Sequence, residues 1–149
     1  MKPIHELQFT LSHMHVDCFG YARPAVLLYM MQEAAGEHCK LLEVDREHLA
    51  HKQLFWAVTR TRVQITRLPK LGQTVTLKTW PMPTTRVAYP RSVVGYDADG
   101  AELFRSISLW VLMDEQSRAM VLPGKSGVTV DGTCTGTELA VPHAIATRP

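Results

Sequence analysis

One segment constrains the fold more than any other: a helical pattern that runs from Pro24 to about Leu42. Side chains suited to a buried face recur there at spacings of three and four, the period of an amphipathic helix. They are Leu27, Met30, Met31, Ala34, His38, Leu41 and Leu42. Pro24 suits the first helical position, because its missing N–H would have no partner there. The chain must therefore bury one long helix against another layer.

The sequence after this helix changes to the alternating, β-branched pattern of strands. Such runs lie at 55–67, 74–82, 86–97, 101–114 and 119–123. Turn sequences separate them, at 68–72 and at Asp97-Ala98-Asp99-Gly100. Residues 5–16 predict a first strand, and residues 45–53 predict an irregular connection. One long helix with an antiparallel sheet predicts an α+β fold in which the sheet covers the helix.

Length and composition fit a single domain. The 149 residues, 46% of them hydrophobic, are enough for one core and hardly for two. We assign residues 1–123 to the domain and 124–149 to a C-terminal extension, either an edge strand or a tail. One helix leaves the second sheet face and the edges uncovered, which predicts a homo-oligomer.

Charge and hydropathy exclude several functions. The formal net charge is +2 and no dense Lys/Arg run occurs, which argues against nucleic-acid binding. No apolar run reaches the roughly 20 residues of a membrane span, and the first residues lack a signal-peptide core. Three widely spaced cysteines are typical of free thiols in a reducing compartment, so we expect a cytoplasmic protein.

Several segments together resemble the acyl-ACP thioesterase family. They are QEAAGEH (32–38), WAVTR (56–60), PKLGQTV (69–75), TW (79–80), SLWVLMD (108–114) and SRAMVLP (117–123). Their order and spacing are similar to the N-terminal of that family's two repeats, over roughly residues 5–123. The resemblance implies a hotdog fold, a curved antiparallel sheet wrapped around one long central helix, in agreement with the element order above.

This resemblance also implies an activity: hydrolysis of fatty-acyl or related thioesters of acyl carrier protein or CoA, with no cofactor and no metal. It implies a homodimer or homotetramer with sites at the interface. The family's catalytic Asn and His lie in the second repeat. When the segment after Asp17 is matched to that motif, Phe19 and Tyr21 occupy their positions, so these catalytic roles do not carry over.

A wider resemblance concerns Asp17-Cys18-Phe19-Gly20, just before the helix. It is similar to the Asp-x-x-Gly segment of single-repeat acyl-CoA thioesterases of the 4-hydroxybenzoyl-CoA type. The resemblance implies that Asp17 is the nucleophile or general base and that Gly20 belongs to the substrate site. The oxyanion-binding amide would fall at Pro24, which has no N–H, so we assign that role to the amide of Arg23 or Ala25.

The same stretch, HMHVDCFG, allows other interpretations. His13, His15 and Asp17 are possible metal ligands, but side chains four apart on a strand lie about 13 Å apart. Cys18 is a possible nucleophile, although the adjacent Asp17 disfavours a thiolate. Asp17 itself is either a carboxylate held ionised by the helix start, or a cap or turn former.

Two further residues complete the predicted site. Glu33 lies at the margin of the buried helix face and is a second catalytic candidate, since partial desolvation would raise its basicity. Arg60, on a strand with other cations, is a candidate for binding the phosphate of CoA or phosphopantetheine. The rival interpretation is a non-catalytic hotdog protein that binds acyl thioesters, and a dehydratase on the same fold ranks last.

Overall fold

The computed structural model describes residues 3–142, which form one antiparallel sheet with a long helix and several shorter helical segments. They are β1 (His5–Thr10), a 3-10 turn (His13–His15), α1 (Pro24–Leu41), α2 (Arg46–Ala50), β2 (Leu54–Ile65), β3 (Thr74–Pro81), β4 (Tyr89–Tyr96), β5 (Glu102–Asp114), β6 (Met120–Val121) and α3 (Pro123–Ser126). The sheet has the order β1-β3-β4-β5-β2, with β6 beside β5. All of its pairings are antiparallel.

The helix α1 packs on one face of this sheet, which we call the inner face. Met30 and Ala34 of α1 are fully buried there with Val75, Leu77 and Val93 of the sheet. Alternate residues of each strand supply this face, because successive strand side chains point to opposite sides. The predicted α+β hotdog fold is thereby confirmed: one long helix is covered by an antiparallel sheet. Within residues 3–142, no helix is long and apolar enough to cross a membrane.

Three details differ from the sequence prediction. The first strand stops at Thr10 and a 3-10 turn follows. The stretch expected to be irregular contains α2, whose five residues bury only Leu49; one buried side chain leaves no periodicity to detect. Leu41, predicted on the buried face, is 49% exposed, since it lies in the last turn of α1.

Residues 127–139 form a segment that we call the C-terminal strap. It begins near the inner face, where the Tyr89 hydroxyl donates to the Val128 carbonyl at 2.9 Å. It then follows the end of β3, where the Thr133 N–H donates to the Pro81 carbonyl at 2.7 Å. Finally Trp80 Nε1 donates to Glu138 Oε1 at 3.1 Å. Residues 143–149 lie outside the described residues, so the predicted extension is only partly described.

Glu138 holds the end of the strap in place. Burial raises the pKa of its carboxyl group, but hydrogen bonds from the Thr135 amide, the Thr135 hydroxyl and the Trp80 indole outweigh burial and lower the pKa to about 2. The Gly136 amide also donates to this carboxylate, at 2.9 Å. The ionised form is therefore the form that stabilises the strap.

We expect the stability contribution of Glu138 to depend on pH. A folded pKa of about 2, below the ordinary 4.5, means that the stabilisation is complete above about pH 4.5 and is lost as the pH falls towards 2. The difference in urea midpoint between the wild type and Glu138→Gln should therefore shrink over that range. Asp131→Asn, which changes an exposed acid of the same strap, is the control. A difference that stays constant with pH would contradict this role.

Candidate functional site

The loop between β1 and α1 holds Asp17 and Gly20, and its geometry is that of a tight turn. Asp17 Oδ1 accepts hydrogen bonds from the Phe19 N–H at 2.9 Å and the Tyr21 N–H at 3.1 Å. The Asp17 N–H donates to the Tyr21 carbonyl at 2.8 Å. Gly20 has φ +83°, a conformation that favours glycine. The Asp17 side chain is exposed, and one of its oxygens shapes the turn.

A second turn in the chain has the same hydrogen bonds. Asp97 Oδ1 accepts from the Asp99 and Ala101 amides, both at 2.9 Å. The Asp97 N–H donates to the Ala101 carbonyl, and Gly100 has φ +81°. The second turn simply connects β4 to β5, so the Asp-x-x-Gly pattern at Asp17 also has a purely structural explanation.

The two amides proposed for oxyanion binding differ in availability. The Arg23 N–H donates to the His15 carbonyl at 3.0 Å, and the Arg23 guanidinium donates to the Met14 carbonyl. Ala25 lies in the first turn of α1, directly after Pro24, where amides have no intrahelical acceptor. Ala25 is therefore the better placed of the two, because the Arg23 amide is already used within the loop.

Of the remaining predicted residues, Glu33 and Arg60 lie outside this loop and His15 lies within it. Glu33 is exposed on α1, so the partial desolvation expected for it is wrong. Arg60 is half-buried on β2 beside a register shift and opposite Leu109, on the sheet face away from α1. His15 Nδ1 accepts from the Ser12 N–H at 2.9 Å. In the described part of the chain, no three His, Cys, Asp or Glu side chains form a metal-binding group.

The main cavity lies at the other end of α1 and contains none of these residues. Its volume is about 730 Å³, within the usual range of small-molecule sites. The cavity is partly open to solvent and is lined by the C-terminal half of α1, by α2 and by the adjoining ends of β2, β4 and β5. Aromatic side chains supply much of its wall, namely Trp56, Tyr89 and Trp110, with Val130 of the strap. Such a lining suits an apolar ligand.

The cavity lining includes a buried arginine, Arg91, which the sequence analysis missed. Arg91 is only 6% exposed. Its Nη1 donates to His38 Nδ1 at 3.0 Å and to Thr79 Oγ1 at 3.1 Å, and its Nη2 lies 3.9 Å from Cys39 Sγ. Arginine has donors only, so His38 Nδ1 must accept and cannot itself carry a proton. The alternation along β4 could have indicated that Arg91 is buried, because it places Arg91 between Tyr89 and Val93 on the inner face.

Burial controls the ionisation of this cluster. It raises the pKa of the Cys39 thiol, and the nearby Arg91 charge offsets that rise only in part. Burial also lowers the pKa of Arg91, but a guanidinium titrates so high that it stays charged at neutral pH. The cluster therefore pairs a cationic arginine with a neutral thiol.

Comparison with known proteins identifies the family. The family model for the acyl-ACP thioesterase N-terminal domain matches residues 2–122. The chain belongs to this family. Among its curated relatives, a palmitoyl-acyl carrier protein thioesterase of Gossypium hirsutum chloroplasts is 30% identical over 119 residues. A chloroplastic acyl-[acyl-carrier-protein] hydrolase of Cuphea viscosissima is 26% identical over 119 residues.

Each of these matches covers 75% of the chain and 29% of the relative, so the chain spans less than a third of the length of these plant proteins. Solved structures show the same fold. An acyl-ACP thioesterase from Bacteroides thetaiotaomicron has a TM-score of 0.82 at 21% identity, over 99% of this chain and 60% of its own. A DHNA-CoA thioesterase from Staphylococcus aureus has a TM-score of 0.74 at 12% identity, over 80% of each chain.

The raised pKa of Cys39 in this acyl-ACP thioesterase domain predicts slow alkylation. Cys18 and Cys134 are exposed, whereas Cys39 is half-buried beside Arg91. At mildly alkaline pH, we expect iodoacetamide to modify Cys39 at least about tenfold more slowly than the other two, because the thiolate is the reactive form. Peptide mass spectrometry measures the three rates, and urea-unfolded protein is the control. Faster reaction at Cys39 would mean that Arg91 stabilises a thiolate.

Proposed function

We propose that this protein is a thioesterase that hydrolyses fatty-acyl or related thioesters of acyl carrier protein or CoA. The observation that carries the proposal is the match of the acyl-ACP thioesterase N-terminal domain to residues 2–122. The aromatic-lined cavity along α1 supports it, since the volume and apolar wall suit an acyl chain. The similar proteins are named as thioesterases of both classes: the plant and Bacteroides proteins for acyl-ACP, and the Staphylococcus protein for DHNA-CoA.

In this proposal Asp17 activates a water molecule or attacks the thioester carbonyl. One Asp17 oxygen accepts hydrogen bonds from the Phe19 and Tyr21 amides. These bonds fix the carboxylate in one orientation near the start of α1. The Ala25 amide stabilises the developing oxyanion, with Arg23 and Gly20 shaping the loop around it. Glu33, from the same or a partner subunit, assists, and Arg60 meets a substrate phosphate.

We also propose a homodimer or homotetramer in the cytoplasm. β2 is an edge strand of 12 residues, with β5 as its only neighbour in the described sheet. Its Val58 and Ile65 are 46% exposed, and a long edge strand with unpaired backbone groups is a natural site for pairing with a second copy. The exposed thiols Cys18 and Cys134 support a reducing location.

A second candidate is a non-catalytic protein that binds acyl thioesters. Two observations favour it. The hydrogen bonds of Asp17 recur at Asp97, where they only shape a turn. The cavity, moreover, adjoins the far half of α1: Cys39, which lines it, is fifteen residues after Pro24, about 22 Å along a helix axis. The residues proposed for binding and those proposed for hydrolysis therefore lie in different parts of this chain and are tested separately.

The substitution Asp17→Asn separates a chemical role from a structural one. An asparagine keeps the side-chain oxygen that accepts from Phe19 and Tyr21, and removes only the charge. We expect thiol release from acyl-CoA and acyl-ACP substrates to fall about 10²–10⁴-fold in kcat/KM, with an unchanged melting temperature. Asp97→Asn, the same change in the matching turn, should leave the activity unaltered.

Each result has a distinct meaning. Full activity of Asp17→Asn would show that the aspartate is a turn former and that hydrolysis uses other groups. Stoichiometric binding of acyl thioesters by the wild type, without turnover at any chain length, would establish the non-catalytic candidate. A drop in both Asp17→Asn and Asp97→Asn would indicate a general effect on folding.

The proposed oligomer predicts a measurable mass. Light scattering should give at least twice the 16.7 kDa of the chain. Val58→Glu places a charge on the exposed edge of β2, and we expect it to shift the mass towards the monomer because the charge would be desolvated on pairing. Leu28→Glu, on the exposed side of α1, is the control for added charge. A monomeric wild type would contradict the pairing.

A further inference from the structure

A positive charge is buried beside the cavity without an anionic partner. No ion pair within residues 3–142 includes Arg91. Its three contacts are the acceptor nitrogen of His38, the hydroxyl of Thr79 and the thiol of Cys39. Thr79 in turn donates to the Ser92 carbonyl at 2.9 Å, which leaves its oxygen free to accept from Arg91. Buried charges are normally paired, because removal from water is costly.

Arg91 lines the cavity, and from the partners of its nitrogens we infer that its uncompensated side faces that space. Nη1 uses both of its hydrogens on His38 and Thr79, neither of which lines the cavity. Nη2 is next to Cys39, which does line it. In the described part of the chain, the donors of Nε and Nη2 have only this long sulfur contact. This edge of a guanidinium is the planar fork that matches a carboxylate bidentately.

We propose that the cavity binds a chain-like carboxylic acid whose carboxylate is held by Arg91 and whose apolar body lies against Trp56, Tyr89 and Trp110. The site holds one buried cation, which matches the single charge of a carboxylate. Arg46, Arg118, Asp45 and Glu115 also line the cavity, so its lining carries one net positive charge with Arg91 included. This binding site goes beyond thioester hydrolysis and is measurable without it.

A carboxylate can reach Arg91 from two sources. It is either the head group of a released fatty acid, or a second carboxylate at the far end of an acyl chain. The first makes the cavity a product site, and the second makes it a selectivity pocket for acyl groups with an acidic end. Both place the same chemical group on the same guanidinium.

The direct test compares decanoate with 1-decanol, which share a chain and differ in the charged end. Tryptophan fluorescence reports binding, because Trp56 and Trp110 line the cavity. We expect the wild type at neutral pH to bind decanoate at least about tenfold more tightly than 1-decanol, as a charged hydrogen-bonded pair would require. Equal affinities, or no binding of decanoate, would overturn the proposal.

Variants locate the charge that is responsible. Arg91→Met should reduce decanoate affinity to that of 1-decanol, and Arg91→Lys should keep part of the difference. Arg86→Met is the matched control, because Arg86 is exposed between β3 and β4 and does not line the cavity; the affinity ratio should stay as in the wild type. A folded Arg91→Met that keeps the ratio would overturn the assignment. If Arg91→Met fails to fold, the comparison of decanoate with 1-decanol on the wild type still tests the proposal.

Two substrates distinguish the two sources of the carboxylate: decanoyl-CoA and the CoA monothioester of decanedioic acid. A product site predicts competitive inhibition by decanoate and no preference between the substrates. A selectivity pocket predicts a lower KM for the decanedioic thioester, a gain lost in Arg91→Met. Either pattern supports the site, and an active enzyme that shows neither would overturn its part in turnover. If no thioester is hydrolysed, the proposed function fails while the decanoate measurement stands by itself.

Discussion

The structure depends on the packing of α1 against the inner face of the sheet, and the side-chain sizes along α1 decide where that packing is complete. Leu27, Met30 and Met31 fill the space in its first half. In its second half Ala35, Gly36 and Cys39 have small side chains or none, and all three line the cavity. Large residues therefore make a solid core at one end, and small residues leave a ligand-sized space at the other.

This division separates two properties that a thioesterase needs together. The start of α1 offers helix-start amides and a fixed carboxylate, which are the elements of carbonyl chemistry. The second half offers an apolar wall and a buried guanidinium, which are the elements of ligand recognition. In a homo-oligomer paired through β2, a partner would lie along the strand whose first residues line the cavity.

The Asp17 turn shows why a short motif is weak evidence for chemistry. Asp-x-x-Gly is also the pattern of a tight turn, in which the carboxylate accepts two amides and the glycine takes a positive φ, as at Asp97 and Gly100. A catalytic aspartate and a turn-forming aspartate thus share both spacing and local geometry. Only the loss or retention of activity on removing the charge distinguishes them.

The sequence by itself determined the fold class, the limits of α1 and the order of the long strands, because a period of 3.6 followed by a period of 2 is a local property of the chain. It did not reveal α2, which buries too few residues for a pattern, or the path of the strap. The cavity and the Arg91 cluster were decided only by the tertiary structure. Arg91, His38 and Thr79 come from β4, α1 and β3. No spacing in the sequence indicates that these three distant polar residues form hydrogen bonds with one another beside the cavity. Burial and charge pairing depend on what surrounds a side chain, which folding alone determines.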